Sequence, residues 1–134
     1  MPDFKALIER IASNEGYKSR PYQCSEGVWT IGIGFTWLSE EESLHILGGR
    51  IQELHLKLQD LFDYYSDLPP EIQGVVIECC FQMGVNGWSK FKKAISCMEN
   101  KDWKGASNEM LDSKWAKQTP NRAERLAQIV REHG

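Results

Sequence analysis

Residues 69–84 read PPEIQGVVIECCFQMG, and this stretch sets the expected architecture of the chain. Proline cannot continue a helix but fits its first turn, so Pro70 marks a new helix after the break that begins at Asp67. Apolar residues then cover most of the helical circumference: Ile72, Val75, Val76, Ile77, Cys79, Cys80, Phe81 and Met83. A helix of this kind is buried at the centre of a helical lobe, and we expect Gly84 and Gly87 to end it.

A long amphipathic helix is predicted before this break. Ser39-Glu40-Glu41-Glu42 matches a capping box, in which the serine hydroxyl and the third-position glutamate each satisfy a backbone N–H. Apolar residues then recur every three or four positions: Leu44, Leu47, Ile51, Leu54, Leu58, Leu61 and Tyr65. The pattern predicts a connecting helix over about 40–65, with its weak point at Gly48-Gly49.

Further helices are predicted at both ends of the chain. Phe4, Leu7, Ile8 and Ile11 have helical spacing, which predicts a helix over 3–14 that stops at Gly16. After the central helix, the spacing of Phe91, Ile95 and Met98 predicts another, Asp102 is a candidate cap for the next, and Thr119-Pro120 opens the last. The helical lobe is therefore expected to span about 69–134 together with the N-terminal helix.

The segment from Tyr17 to Thr36 has a different residue pattern, with strand and turn signals in place of helical spacing. Val28-Trp29-Thr30-Ile31-Gly32-Ile33-Gly34 is typical of a strand, and Ser25-Glu26-Gly27 of the turn before it. We expect a small antiparallel sheet lobe over about 15–38. A small sheet combined with several helices predicts the α+β class.

Length and composition restrict the possible functions. The 134 residues fit a single domain spanning 1–134, and the net charge is −3 with basic residues concentrated after residue 84. A basic half suits an anionic polymer, or is simply a set of solvated helix faces. The absence of nucleic-acid motifs, long apolar runs and a signal segment predicts no nucleic-acid partner and no membrane insertion. The four cysteines lack metal-ligand spacing, so we expect no metal and reduced thiols.

Glu15, at the end of the first predicted helix, is the leading candidate for acid–base chemistry. The helix dipole places partial negative charge there, which disfavours an anion and should raise the proton affinity of the carboxylate. A carboxyl group that keeps its proton near neutrality can protonate a leaving group. Cys24 and Thr30 follow at a spacing that fits the same site on a hairpin.

These residues resemble the phage-type (T4-like) lysozymes, or endolysins. The resemblance rests on Glu15, Cys24 and Thr30, on the strand 30–34, on Phe81-Gln82-Met83-Gly84, and above all on Gln118-Thr119-Pro120-Asn121-Arg122-Ala123. It implies one lysozyme domain with a sheet lobe and a larger helical lobe joined by the long helix. It also implies a muramidase that cuts the β-1,4 bond between N-acetylmuramic acid and N-acetylglucosamine in peptidoglycan, held in a cleft between the lobes.

The resemblance assigns catalytic roles to three positions. Glu15 matches the general acid, and Thr30 matches the threonine that helps to position the attacking water. Cys24 departs from the best-known members, which have aspartate there, and resembles a branch with cysteine. Its thiolate could activate water, which we favour, or attack the sugar directly; Glu26 is the nearest alternative carboxylate but more naturally belongs to the turn.

Other positions match the cleft of the family. Arg122 matches an arginine that pairs with the catalytic glutamate, an effect that would oppose the helix dipole and lower the proton affinity of Glu15. Four residues match substrate-binding positions: Thr36, Phe81, Gln82 and Asn121.

Two other functions compete with this interpretation. Cys24 could pair with His45, His55 or His133 in a cysteine hydrolase, although no oxyanion-hole motif follows the cysteine. A non-catalytic glycan-binding module is the other rival, and the presence of Glu15 argues against it. The family implies a monomer without cofactors, made in the host cytoplasm and acting on the cell wall after a separate membrane pore protein, a holin, gives it passage.

Overall fold

The structure, a computed structural model, describes residues 2–14, 18–23, 29–32 and 40–133, and side chains in 2–14 and 41–133. In chain order the elements within these ranges are α1 (Phe4–Asn14), β1 (Lys18–Gln23), β2 (Trp29–Gly32), α2 (Glu40–Leu61), α3 (Asp63–Ser66), α4 (Pro70–Ser89), α5 (Lys92–Glu99), α6 (Trp103–Leu111), α7 (Lys114–Gln118) and α8 (Pro120–His133).

The predicted α+β class with a sheet lobe is wrong, because the described part of the chain is a helical fold. Its strands form only a two-stranded antiparallel ribbon of six and four residues. The pairing is irregular between Lys18 and Tyr22, and Tyr22 lies opposite Thr30. Two short strands cannot enclose a core of their own. The strand and turn signals of this segment therefore predict a larger sheet than the described residues form.

The central helix α4 begins where the sequence predicts but ends later. Pro70 is its first residue, and Pro69 is the N-cap. The helix does not end at Gly84: that residue adopts a φ of 82° and a ψ of 159°, a kink after which helical structure resumes as far as Ser89. Glycine lacks a Cβ and tolerates this conformation, so it bends the path of the chain without terminating the element.

The long helix α2 is followed by a separate short helix. Phe62 has an extended backbone (φ −130°, ψ 115°), which ends α2 at Leu61 and starts α3 at Asp63. Tyr65, whose spacing continued the pattern of α2, belongs to α3 and is fully buried. The apolar periodicity therefore identified a buried position correctly but not the helix that carries it.

Helix α4 lies at the centre of the packing, in contact with α1, α2 and α8. Its residues 72–80 are all buried, which agrees with the apolar residues that cover most of its circumference and extends to the polar Gln73 and Glu78. Each large apolar side chain buried here contributes about 1.5–3 kcal/mol to the stability of the fold. The arrangement brings the end of α1 and the start of α8 to the same central helix.

Two of the four cysteines belong to this core. Cys79 and Cys80 are buried free thiols, and burial raises the pKa of Cys80 to about 12. Cys97 is only partly buried. Cys79 and Cys80 therefore serve as small core residues, whereas Cys97 packs against the core from a partly exposed position.

Candidate functional site

A buried carboxylate on α4 gathers side chains from α1 and α8. Glu78 is fully buried. Its Oε1 accepts a hydrogen bond from Arg10 Nε at 2.6 Å, and its Oε2 accepts from Asn14 Nδ2 at 2.6 Å and from Arg122 Nε at 2.9 Å. Arg125 Nη2 in turn donates to Asn14 Oδ1 at 2.7 Å. We call these five residues the Glu78 network.

Helical spacing explains how α1 and α8 present these groups together. Arg10 and Asn14 are four residues apart on α1 and share one of its faces, while Arg122 and Arg125 are three apart on α8. A carboxylate is expensive to bury without partners, and the two guanidinium groups compensate Glu78 by charge-assisted hydrogen bonds. The last residue of α1 is therefore attached to both α4 and α8.

Arg122 occupies an electrostatically unfavourable position in its own helix. It is the third residue of α8, in the first turn, where the helix dipole is positive and disfavours a cation. It is also buried, with 7% of its surface exposed. The partnership with Glu78 offsets these costs.

Gln82 lies one turn beyond Glu78 on the same face of α4. Its Oε1 accepts a hydrogen bond from Trp115 Nε1 on α7 at 2.8 Å. Trp115 packs edge-on against Phe91, which stacks on Trp88. Gln82 is half-buried, so its amide is oriented by a rigid aromatic group while part of it reaches the surface.

The structure describes some of the predicted site residues and not others. Arg122 is buried in the Glu78 network, Phe81 is half-buried beside Gln82 on α4, and Asn121 is exposed at the second position of α8. The backbone of Thr30 belongs to β2, and its side chain lies outside the described positions. Glu15, Cys24 and Thr36 lie outside the described residues, although Glu15 directly follows Asn14 in the chain.

Sequence reasoning missed Glu78, Arg10 and Asn14. A signal was present, because Glu78 is a charged residue inside an otherwise apolar helix, and glutamate is rarely buried unless it is paired. The sequence could not identify its partners, which lie 68, 64 and 44 positions away.

Two of the three histidines are engaged elsewhere in the fold. His55 is buried, its Nδ1 is hydrogen-bonded to the Tyr65 hydroxyl at 2.6 Å, and Phe4 packs edge-on against its ring. Burial lowers its pKa. His133 is bonded to Glu71 and packs edge-on against Trp103.

Neither a metal-ion site nor a membrane-spanning helix occurs in the part of the chain that the structure describes. No three His, Cys, Asp or Glu side chains there are grouped so that they could hold a metal ion. None of the described helices combines the length and apolar character needed to cross a bilayer.

Comparison with known proteins agrees with the resemblance. The profile of the family described as phage lysozyme matches residues 12–132. Probable T4-type lysozyme 2 of Dictyostelium discoideum is 28% identical over 92% of each chain, and Probable T4-type lysozyme 1 of the same organism is 27% identical over 93% of each. The pre-baseplate central spike protein Gp5 of Enterobacteria phage T4 is 29% identical over 93% of this chain and 27% of its own length.

The family profile covers most of the chain, including α4, the network residues Asn14, Glu78 and Arg122, and the pair Gln82–Trp115. The prediction of the family from its motifs is thereby confirmed. The chain belongs to the phage lysozyme family.

Proposed function

We propose that this glycoside hydrolase is a muramidase that cuts the β-1,4 bond between N-acetylmuramic acid and N-acetylglucosamine in peptidoglycan, with Glu15 as the general acid. Membership of the phage lysozyme family supports the enzyme class and the cell-wall substrate. The observation that carries the assignment of Glu15 is the Glu78 network. It attaches Asn14, the residue before Glu15, to the arginine that the family resemblance pairs with the acid.

The proposed chemistry needs a proton on Glu15 near neutral pH. Glu15 donates this proton to the glycosidic oxygen as positive charge develops on the sugar ring. The C-terminal end of α1 favours the protonated form, and the guanidinium of Arg122 favours the ionised form. Arg122 therefore tunes and orients the acid.

We assign Cys24 and Thr30 to the attacking water. In a single-displacement reaction, a second group deprotonates and positions water on the face of the sugar opposite the acid. Thr30 supplies a hydroxyl for this purpose and Cys24 supplies a thiolate, the form of cysteine that can act as a base. Direct attack by the sulfur, through a glycosyl-enzyme intermediate, is the alternative for Cys24.

The substrate-binding proposal centres on Gln82. Because its oxygen accepts from Trp115, the group that Gln82 offers to a sugar is its NH2, a donor suited to the carbonyl of an N-acetyl group. Phe81 supplies apolar surface beside it. Asn121 and Thr36 complete the proposed set of contacts with the glycan.

We further propose that the protein acts as a monomeric endolysin that lyses bacteria. In this proposal it is made in the host cytoplasm and reaches the cell wall through a holin. No cofactor, metal, nucleic acid or membrane insertion is assigned to the reaction.

The test is loss of turbidity of purified peptidoglycan, with new reducing ends measured in the released fragments. Glu15→Gln should lower the rate by at least about 100-fold, because it removes the general acid. Glu9→Gln, the same change at an exposed position of α1, should clear walls at the wild-type rate. If Glu15→Gln retains the wild-type rate, the muramidase mechanism is wrong, and released amino groups without reducing sugars would indicate a peptidase.

Cys24 has its own variants. Activity retained in Cys24→Asp and lost in Cys24→Ser supports water activation, because a carboxylate performs that role and a hydroxyl is too weak a base. A glycosyl adduct trapped on the sulfur would establish direct attack instead.

A further inference from the structure

We propose that Glu78 is a positioning residue for glycan hydrolysis: its carboxylate holds the guanidinium of Arg122 and the C-terminal end of α1 in one fixed arrangement. This inference rests on the proposed function, because it assigns Glu78 a role in placing Glu15. The general acid itself is a separate assignment with a separate test.

The first argument is the geometry around a single oxygen. Glu78 Oε2 accepts from Asn14 Nδ2 on α1 and from Arg122 Nε on α8, so one atom joins the two helices. Arg125 holds the other end of the Asn14 side chain at 2.7 Å. Asn14 therefore has both its amide oxygen and its amide nitrogen engaged, and it directly precedes Glu15.

The second argument is that a gain in stability alone does not explain the buried ion pairs of Glu78. Well-packed apolar residues commonly serve a core as well as a buried ion pair or better. Arg10 Nη2 is buried and has no hydrogen-bond partner among the described residues, and Arg122 lies against the dipole of α8. The described part of the chain carries these costs where side chains of α1, α4 and α8 meet.

The third argument is the balance of charge. Two guanidinium groups face the carboxylate, Arg10 from α1 and Arg122 from α8. The neighbouring thiol of Cys79 adds no charge, because burial raises its pKa. Replacing Glu78 with a neutral residue removes a negative charge beside both guanidinium groups and makes this part of the network more positive.

The experiment measures kcat and KM across pH for Glu78→Gln. The loss of this negative charge should favour the ionised form of the general acid, so the alkaline limb of the kcat profile should move to lower pH by about one unit. The value of kcat at its optimum should fall about tenfold or more, because the acid is no longer held in place. KM should stay within about twofold, because Glu78 is fully buried and offers no surface to a sugar.

Glu78→Asp separates charge from position and provides a second variant if Glu78→Gln fails to fold. It keeps the negative charge but withdraws the carboxylate by one methylene. The alkaline limb should therefore stay at the wild-type pH while kcat falls. Met98→Ala, a core truncation in α5, is the control for lost stability. When this variant is assayed well below its unfolding temperature, it should alter neither kcat nor the position of the alkaline limb of the kcat profile.

The outcomes distinguish this inference from the proposed function. Wild-type kcat in Glu78→Asp, or a wild-type alkaline limb in a folded Glu78→Gln protein, would overturn the positioning role while Glu15→Gln remained inactive. An active Glu15→Gln protein would instead refute the muramidase mechanism on which the inference rests.

Discussion

Replacing Trp115 with phenylalanine should weaken substrate binding without slowing the chemical step. The indole N–H of Trp115 donates to Gln82 Oε1 at 2.8 Å, and both side chains are at least partly buried. A neutral hydrogen bond of this kind contributes about 0.5–1.5 kcal/mol. In the proposed function this hydrogen bond orients the amide of Gln82 toward the sugar. Its loss should therefore raise KM about two- to twelvefold. kcat should be unchanged, because the sugar contact that we propose for Gln82 is made equally in the ground state and in the transition state.

Trp103→Phe is the matched control, because the two indoles are equally buried. Their exposed fractions are 8% for Trp115 and 9% for Trp103. Trp103 packs edge-on against His133, and the hydrogen bond to Gln82 Oε1 comes from Trp115. Both variants should lose comparable stability in urea denaturation, so a difference in KM reports the hydrogen bond and not general loosening. Equal KM values for the two variants in the peptidoglycan assay would refute the role given to Gln82.

Three further predictions concern stability. Gly49→Ala should raise the free energy of unfolding by about 0.5–1 kcal/mol, because a methyl group there enters open space on a helix, whereas Gly84→Ala should lower it by about 1–3 kcal/mol through its φ of 82°. Chemical denaturation of both variants tests this pair, and a stabilising Gly84→Ala would contradict the kink. Asp102→Ala should cost about 1 kcal/mol, because the carboxylate caps α6 by accepting a backbone N–H at 3.0 Å; an unchanged urea midpoint would rule that out. Since the folded pKa of His55 lies below its ordinary value of 6.5, its contribution is complete above pH 6.5 and is lost as the pH falls towards the folded pKa. His55→Gln should remove that part of the pH dependence, and an unaltered slope would argue against it.

The sequence predicted local features of the fold well and long-range ones poorly. Pro70 at the start of α4, Asp102 as a cap and Pro120 at the start of α8 are all local signals, and each depends on backbone chemistry within a few residues. The break at Phe62 has no such signal, so the apolar spacing ran through it to Tyr65. Strand propensity in the segment after Glu15 indicated strands, but it could not reveal that they form only a ribbon.

In the candidate site, too, local features could be predicted from the sequence and long-range contacts could not. The family motif around Arg122 and the pair Phe81-Gln82 could be recognised in the sequence, because each consists of consecutive residues. Glu78 was visible only as an isolated charge in an apolar helix. The role that we propose for it depends on Arg10 and Arg122. The proximity of these residues arises from the packing of three helices and not from any spacing that the sequence displays.

The long sequence separations in the Glu78 network bear on how the protein is made. Arg10 and Asn14 are produced early, Glu78 follows, and Arg122 comes 44 positions later, in the last described helix. Contacts between such distant segments form only after the loops between them close, so they belong to the late stage of folding. A ribosome must therefore release α8 before the arginine can reach the carboxylate. A chain synthesised only as far as α4 holds α1 and α4 without the arrangement that we propose hydrolysis requires. We therefore expect activity only after synthesis has passed α8.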